Sequence, residues 1–148
     1  MEIREVVDGK RKYLPFLLLA DEQESMINRY LDRGTMFIIT DDSVKGECVV
    51  TDEGQGILEI KNLAIDPFCR RMGYGKALVE YVVEKYQGRY SILQVGTGDS
   101  PLTIPFYEKC GFVRSHKVED FFIKNYDHPI YEDGIQLVDM IYLQKRLF

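Results

Sequence analysis

The stretch from Ile57 to Val95 constrains the fold more than any other part of the chain. It opens with a strand pattern, Ile57 to Ile65, preceded by Gly54 and Gly56 and nearly all apolar in its later half. The loop RRMGYGKA follows at residues 70–77. A helical pattern then sets Leu78, Tyr81, Val82 and Tyr86 on one side and Glu80, Glu84, Lys85 and Gln87 mostly elsewhere, until Gly88 stops it. Ser91 to Val95 reads as a second strand. A strand, a helix and a strand in this order imply a right-handed crossover between parallel neighbours, so this strand is central and the rest of the chain must be arranged around it.

The flanking segments supply shorter elements. Ile3 to Val7 reads as a strand, and after Pro15 the spacing of Met26, Ile27, Tyr30 and Leu31 predicts a helix that Gly34 ends. Met36 to Thr40 and Glu47 to Thr51 are β-rich and separated by the turn-forming Asp41-Asp42-Ser43. A short helix runs to Cys110, with Pro105 in its first turn and Gly111 at its end. Strands near Arg114 to Ile123 and Ile135 to Leu143 close the chain. The class is α/β: a mixed sheet with helices on its faces, in one domain spanning residues 1–148 with no tail or linker to set aside.

The glycine loop matches neither of two familiar phosphate cradles. A G-x-G-x-x-G fingerprint needs a glycine where Leu78 stands. A Walker A loop needs glycine at Arg70 and a hydroxyl residue at Ala77. What remains is general: backbone N–H groups opening a helix, assisted by its dipole and by Arg70, Arg71 and Lys76, suit a pyrophosphate. A tight strand-to-helix connection is the plainer use of the same glycines.

Composition removes other classes. With 45% hydrophobic residues the chain can bury a real core. Its apolar run near the start, Leu14 to Ala20, is too short to cross a membrane or serve as a signal core. Cys48, Cys69 and Cys110 are odd in number and lack Cys-x-x-Cys spacing, so reduced thiols in a cytoplasmic setting are expected, without a metal site. His116 and His128 have no third ligand at zinc spacing. Of the net charge of −5, the segment from Glu119 to Asp139 accounts for all: Glu119, Asp120, Asp127, Glu132, Asp133 and Asp139 against Lys124. No cluster of cations is left over to hold nucleic acid.

The quoted loop and a second motif together resemble a known family. NLAIDPFCRRMGYGKALVEYVVEKY followed by TIPFYEKCGF is similar to the GCN5-related N-acetyltransferases, or GNATs, through Arg70, Gly73 and Gly75 in the loop and Tyr107, Gly111 and Phe112 after it. The likeness is good from about Glu47 to Phe112, and the tail DHPIYEDGIQLVDM resembles a small bacterial branch. It implies a central, mostly antiparallel mixed sheet whose one parallel pair splays apart at the site of acetyl-coenzyme A, the co-substrate. Backbone groups of Leu63, Ala64 and Ile65 would pair with the pantetheine arm. The amides of Arg71, Met72, Gly73, Tyr74, Gly75 and Lys76, with Arg70, would take the pyrophosphate.

Acetyl transfer to an amine sets further demands. A lysine-like amine is neutral only about once in 2,500 at pH 7, a handicap of roughly 4.6 kcal/mol, so a base helps. Glu59 falls where one branch of the family carries its glutamate base; an alternating, solvent-facing strand position is the other reading. Backbone N–H near Leu63 to Ile65 could serve a developing oxyanion. Tyr107 matches the family tyrosine that returns a proton to the coenzyme thiolate, or else is a packed core aromatic. Where the family has an asparagine before this helix, the chain has Gly98, Asp99 and Ser100. Cys110 with His116 as an acyl carrier has nothing to bring the two together. The acidic segment fits a small polycationic amine such as a polyamine or aminoglycoside, or is a solvated surface. Tyr126, Tyr131 and Phe121 line that pocket or form a homodimer contact. A non-catalytic module that binds acyl-coenzyme A is the alternative function.

Overall fold

A computed structural model describes residues 1–148. Nine strands and five helices follow one another: β1 (Glu2–Val6), α1 (Leu14–Ala20), α2 (Glu24–Ile27), β2 (Thr35–Asp41), β3 (Ser43–Asp52), β4 (Ile57–Ile65), α3 (Tyr74–Tyr86), β5 (Ile92–Gly98), α4 (Ile104–Lys109), β6 (Val113–Val118), α5 (Phe121–Asn125), β7 (Tyr131–Glu132), β8 (Ile135–Gln136) and β9 (Met140–Arg146). Seven strands make one sheet in the order β1-β2-β3-β4-β5-β9-β6, while β7 and β8 form a small hairpin. Every pairing is antiparallel except β4 with β5.

Strand alternation gives the sheet two apolar faces. On one, Phe37, Ile39, Cys48, Val50, Leu58, Ile60, Leu93 and Val95 meet Leu78, Val79 and Val82 of α3 and Tyr107 of α4. On the other, Met36, Ile38 and Val49 meet Leu17 of α1 with Ile27, Tyr30 and Leu31. Burying each of these large aliphatic chains is worth about 1.5–3 kcal/mol. The α3 stripe follows the predicted spacing at Leu78, Val82 and Tyr86, with Val79 buried beside them and Tyr81 half-buried against Phe37, and the crossover it forms is parallel, as expected.

The helix expected across Met26 to Leu31 is broken. It is α1 and α2 separated by extended Asp21, and after Ile27 the chain runs in tight turns. Lys10 Nζ donates to the carbonyls of Leu31, Asp32 and Gly34, a cation that fixes those turns. Tyr30 and Leu31 are buried all the same. The strand expected from Arg114 to Ile123 ends at Val118. Beyond it Asp120 takes a left-handed backbone (φ 57°) with its N–H donated to Asp139 Oδ1 at 2.9 Å, and Phe122 turns helical to pack on Ile130 and Leu137. Likewise Ile135 to Leu143 is not one strand but the end of the β7–β8 hairpin followed by β9. No helix is long and apolar enough to cross a membrane.

Candidate active site

The parallel pair opens after a few residues. β4 and β5 are in register from Ile57↔Ile92 to Ile60↔Val95 and no further. The register of β4 against β3 jumps at the same point, from Val50↔Ile60 to Val49↔Asn62, leaving Lys61 as the extra residue of a β-bulge. A bulge bends its strand and increases the local twist, which turns β4 away from β5. Leu63, Ala64 and Ile65 still pair with Cys48, Glu47 and Gly46 of β3 on one edge. Their other edge has no strand partner. Across the gap, β5 ends in Gly96-Thr97-Gly98, where a Cβ on Gly96 would sit 2.9 Å from Met140 and Tyr142, and one on Gly98 2.6 Å from Leu137. Thr97 and Thr103 join their hydroxyls at 2.6 Å and so pin the end of β5 to the start of α4.

The loop at the open end presents bare amides. Asp66 caps a short 3₁₀ turn by accepting from Phe68 N–H at 2.9 Å. Arg71 (φ 65°) and Gly73 (φ 89°) then take left-handed backbones that swing the chain into α3. The first intrahelical bond comes from Ala77 N–H to Gly73 O at 3.0 Å, so the preceding amides are the unsatisfied donors every helix start carries. Tyr74 turns its ring inward and donates its hydroxyl to Asp41 Oδ2 at 2.8 Å, while Gly75 packs so closely on Phe106 that a Cβ would meet it at 3.1 Å. Arg70, Arg71, Met72 and Lys76 are exposed, and a Cβ on Gly73 would meet nothing within 4 Å. Free backbone amides at a helix start are the kind of group that suits a diphosphate. Valine at Gly73 would clash with its own backbone at φ 89° and disturb the amides beside it. Gly73→Val is therefore expected to weaken acetyl-CoA binding at least tenfold by calorimetry with the fold intact; an unchanged dissociation constant would remove the loop from the coenzyme site.

Tyr107 stands on the α3 face. Its ring is locked edge-on between Phe106 and Phe112, with centroids 5.0 and 5.5 Å away, and its hydroxyl makes no hydrogen bond. Burial holds its phenol well above the usual value, with the charges around Cys48, Cys110 and Glu47 adding to the rise. It is a protonated donor at any ordinary pH.

Glu59 occupies the other face and is 5% exposed, so it is not a solvent-facing residue. Gln94 Nε2 donates to its Oε1 at 2.7 Å, Lys61 Nζ pairs with its Oε2 at 2.8 Å, and Gln144 Nε2 donates in turn to Gln94 Oε1 at 2.7 Å. Two further polar residues of that face, Glu47 and Asn62, are missed by sequence reasoning. Their signal is a charged residue opening the apolar run Cys48 to Val50, and an amide inside the apolar later half of β4. Cys110 and His116 remain apart in their bonding: His116 meets Ser115 and stacks on Tyr142, whereas the carbonyl of Cys110 accepts from Lys145.

The acidic segment lies across this same side. Tyr126 donates to Asp21 Oδ1 at 2.6 Å, Asp127 N–H to Gln23, and His128 bridges Glu22 and Asp127, which ties the segment to the α1–α2 corner. Its other end reaches the sheet's open end, where Glu132 faces Ser100 and Arg70. Desolvation raises the Glu132 carboxyl above its ordinary value.

The parallel pair opens at a bulge, a helix start with bare amides follows β4, and Tyr107 packs in the core on the α3 face. Residues 32–114 match the family model described as the acetyltransferase (GNAT) domain. The chain belongs to the GNAT family. Its GNAT relatives include the uncharacterized N-acetyltransferase YvbK of Bacillus subtilis, 35% identical over 130 residues that cover 86% of this chain and 84% of that protein. Two crystal structures are similar throughout. A GNAT acetyltransferase of Elizabethkingia anophelis with acetyl-CoA bound superposes with a TM-score of 0.91 at 31% identity, covering 98% of this chain and 97% of the other. A Bacillus subtilis acetyltransferase in complex with CoA gives 0.90 at 31%, covering 99% of each. The GNAT membership makes the chain an acetyl-CoA-dependent N-acetyltransferase with a mixed-sheet acyltransferase fold, in agreement with the resemblance read from its two motifs.

Proposed function

We propose that the chain transfers an acetyl group to the primary amine of a small cationic molecule or peptide, with coenzyme and acceptor held together in the β4–β5 gap. The observation that carries this reading is the unpaired edge of Leu63, Ala64 and Ile65, which leads to the bare amides of the loop. Acetyl-CoA supplies the acetyl group as an activated thioester. The strand edge pairs with the pantetheine amides, and the amides from Arg71 to Lys76, with the Arg70 side chain, take the pyrophosphate. Met72 and Tyr74 contribute backbone only, because the Tyr74 side chain is committed to Asp41.

Tyr107 delivers the proton that the departing thiolate needs. On the opposite face Glu59 accepts the amine's proton through a water molecule, since both of its oxygens are already engaged. Lys61 and Gln94 hold it in one orientation for that work. The carboxylates of the acidic segment border the acceptor's approach and favour a cation there. Three free cysteines fit a reducing, cytoplasmic setting.

Turnover is the test. Coenzyme release is followed by mass-resolved assay against a panel of primary amines, from monoamines to polyamines and aminoglycosides. Amine-dependent release with acetylated product, strongest for the polycations, is expected. Coenzyme binding without turnover across the panel would overturn the reading.

A further inference from the structure

A line of alternating charge runs from the surface to Glu59. Lys61 Nζ stands 2.8 Å from Glu59 Oε2 and 3.8 Å from Glu53 Oε1. The other oxygen of Glu53 accepts from Thr51 Oγ1 at 2.6 Å and from Arg33 Nη1 at 3.0 Å. Exposure falls along the line, from 50% for the Arg33 side chain through 27% for Glu53 and 21% for Lys61 to buried Glu59. Glu53 and Arg33 have no part in the machinery described above.

The line lies off the gap. Glu53 follows β3, and its N–H donates to Ile57 O at 2.9 Å, at the start of β4. The gap begins at the other end of that strand, beyond Ile60. Coenzyme can therefore enter without displacing Glu53 or Arg33.

An opposite charge as close as Lys61 favours the ionised form of Glu59. Held by Lys61 alone, this carboxylate would be a poor proton acceptor, because its charge would already be matched. Glu53 acts against that hold in two ways. It draws on the same Nζ, and its own negative charge strengthens the attraction of Glu59 for a proton. Desolvation works against ionising Glu53, but the bonds from Thr51 and Arg33, with the Lys61 charge, outweigh it and hold this carboxyl below its ordinary value. It is thus a fixed negative charge near neutrality. The other groups around Glu59 are Gln94 of β5 and, bonded to it, Gln144 of β9, both uncharged. Tyr142 of β9 is pushed up to about 12 by burial, with the Glu59 and Glu53 charges adding to the rise, and stays neutral as well. His116 of β6 joins the cluster by stacking on the Tyr142 ring at 4.7 Å.

We propose that Glu53 is a positioning residue for acetyl transfer: it shares Lys61 with Glu59, so that Glu59 stays ionised and still able to take the amine's proton. This inference rests on the reading of Glu59 as the proton acceptor. Arg33 and Thr51 complete the device by fixing Glu53 at the end of β3.

The test reads the acid limb of kcat/KM against pH, with the panel amine that wild type acetylates fastest used for every variant, so that the amine's own ionisation cancels. Glu53→Gln is expected to move the limb down by about 0.5–1 pH unit and to lower the plateau several-fold, while Glu53→Asp keeps part of the wild-type profile. Lys61→Met is expected to move the limb the other way, up by about 1 unit or more. Opposite shifts are what a shared cation produces; a merely structural defect would lower the plateau and leave the limb in place. Acetyl-CoA calorimetry reports whether each variant is folded, and Glu53→Gln decides alone where Lys61→Met is not. A limb that stays put or rises in Glu53→Gln would overturn the role of Glu53. Glu59→Gln separates this role from the reading beneath it. If that variant is as fast as wild type with the same limb, Glu59 is not the base and Glu53 falls with it; if it is slow beside an unmoved Glu53→Gln, only Glu53 falls. Wild type that acetylates no amine of the panel would remove both.

Discussion

Tyr107→Phe is expected to lower kcat by roughly 10²-fold or more, the usual worth of a positioned general acid, while acetyl-CoA affinity stays within about twofold. The substitution removes one oxygen from a ring whose packing against Phe106 and Phe112 is otherwise unchanged. That oxygen makes no hydrogen bond in the protein, so no buried partner is orphaned and stability should hold. Burial keeps the phenol protonated far into the alkaline range, which suits a donor and disqualifies it as a base near neutrality. Saturating kinetics and calorimetry on the same preparation separate the two parameters. A variant as fast as wild type would reduce Tyr107 to a core aromatic.

The second large effect is on stability. Burial raises the Glu47 carboxyl from an ordinary value of 4.5 to about 8, with the neighbouring Ala64 amide offsetting only part of the rise. A carboxyl whose folded pKa lies above its unfolded one binds more protons in the native state. Folding is then most favoured below about 4.5 and loses stability as pH climbs to about 8, by a total on the order of 4–5 kcal/mol. The titratable groups within its field, Tyr30, Cys48 and Tyr107, are all themselves pushed upward and stay neutral over that window. Glu47→Gln should abolish this slope. Melting curves between about pH 5 and 9 are expected to show the variant overtaking wild type as pH rises, and parallel curves would mean that the carboxylate is compensated in solution.

Much of this architecture is legible in the amino-acid sequence. The central crossover is, because the apolar stripe of α3 and the glycines at either end of it are local signals that tertiary packing has no reason to override. Tyr107 is reached through its neighbours Gly111 and Phe112. The departures share a cause. Met26 to Leu31 keeps helical spacing yet turns, since Lys10, distant in sequence, captures the carbonyls beyond it. Phe121 and Phe122 are strand-forming residues by propensity, but the small cluster they join with Ile130 and Leu137 is filled from a helical turn. Glu59 fits a simple strand alternation, and only its burial and its bonds to Lys61, Gln94 and, through Gln94, Gln144 set it apart. Glu47 and Asn62 carry no local signal strong enough to single them out, because a lone polar residue in a strand means little without the atoms that face it.

The position of β9 between β5 and β6 bears on how the protein is made. Leu93 and Val95 belong to a strand whose second edge has no neighbour until the residues around 140–146 have been translated. Up to that moment the nascent chain offers an unpaired apolar ribbon, the kind of surface that recruits chaperones or a second ribosome product. The bonds from Tyr126 and His128 back to Asp21 and Glu22 also span more than a hundred residues. The α1–α2 corner is thus tied down only after residues 126–128 have been made, and slow folding through non-local contacts is the kinetic signature to look for.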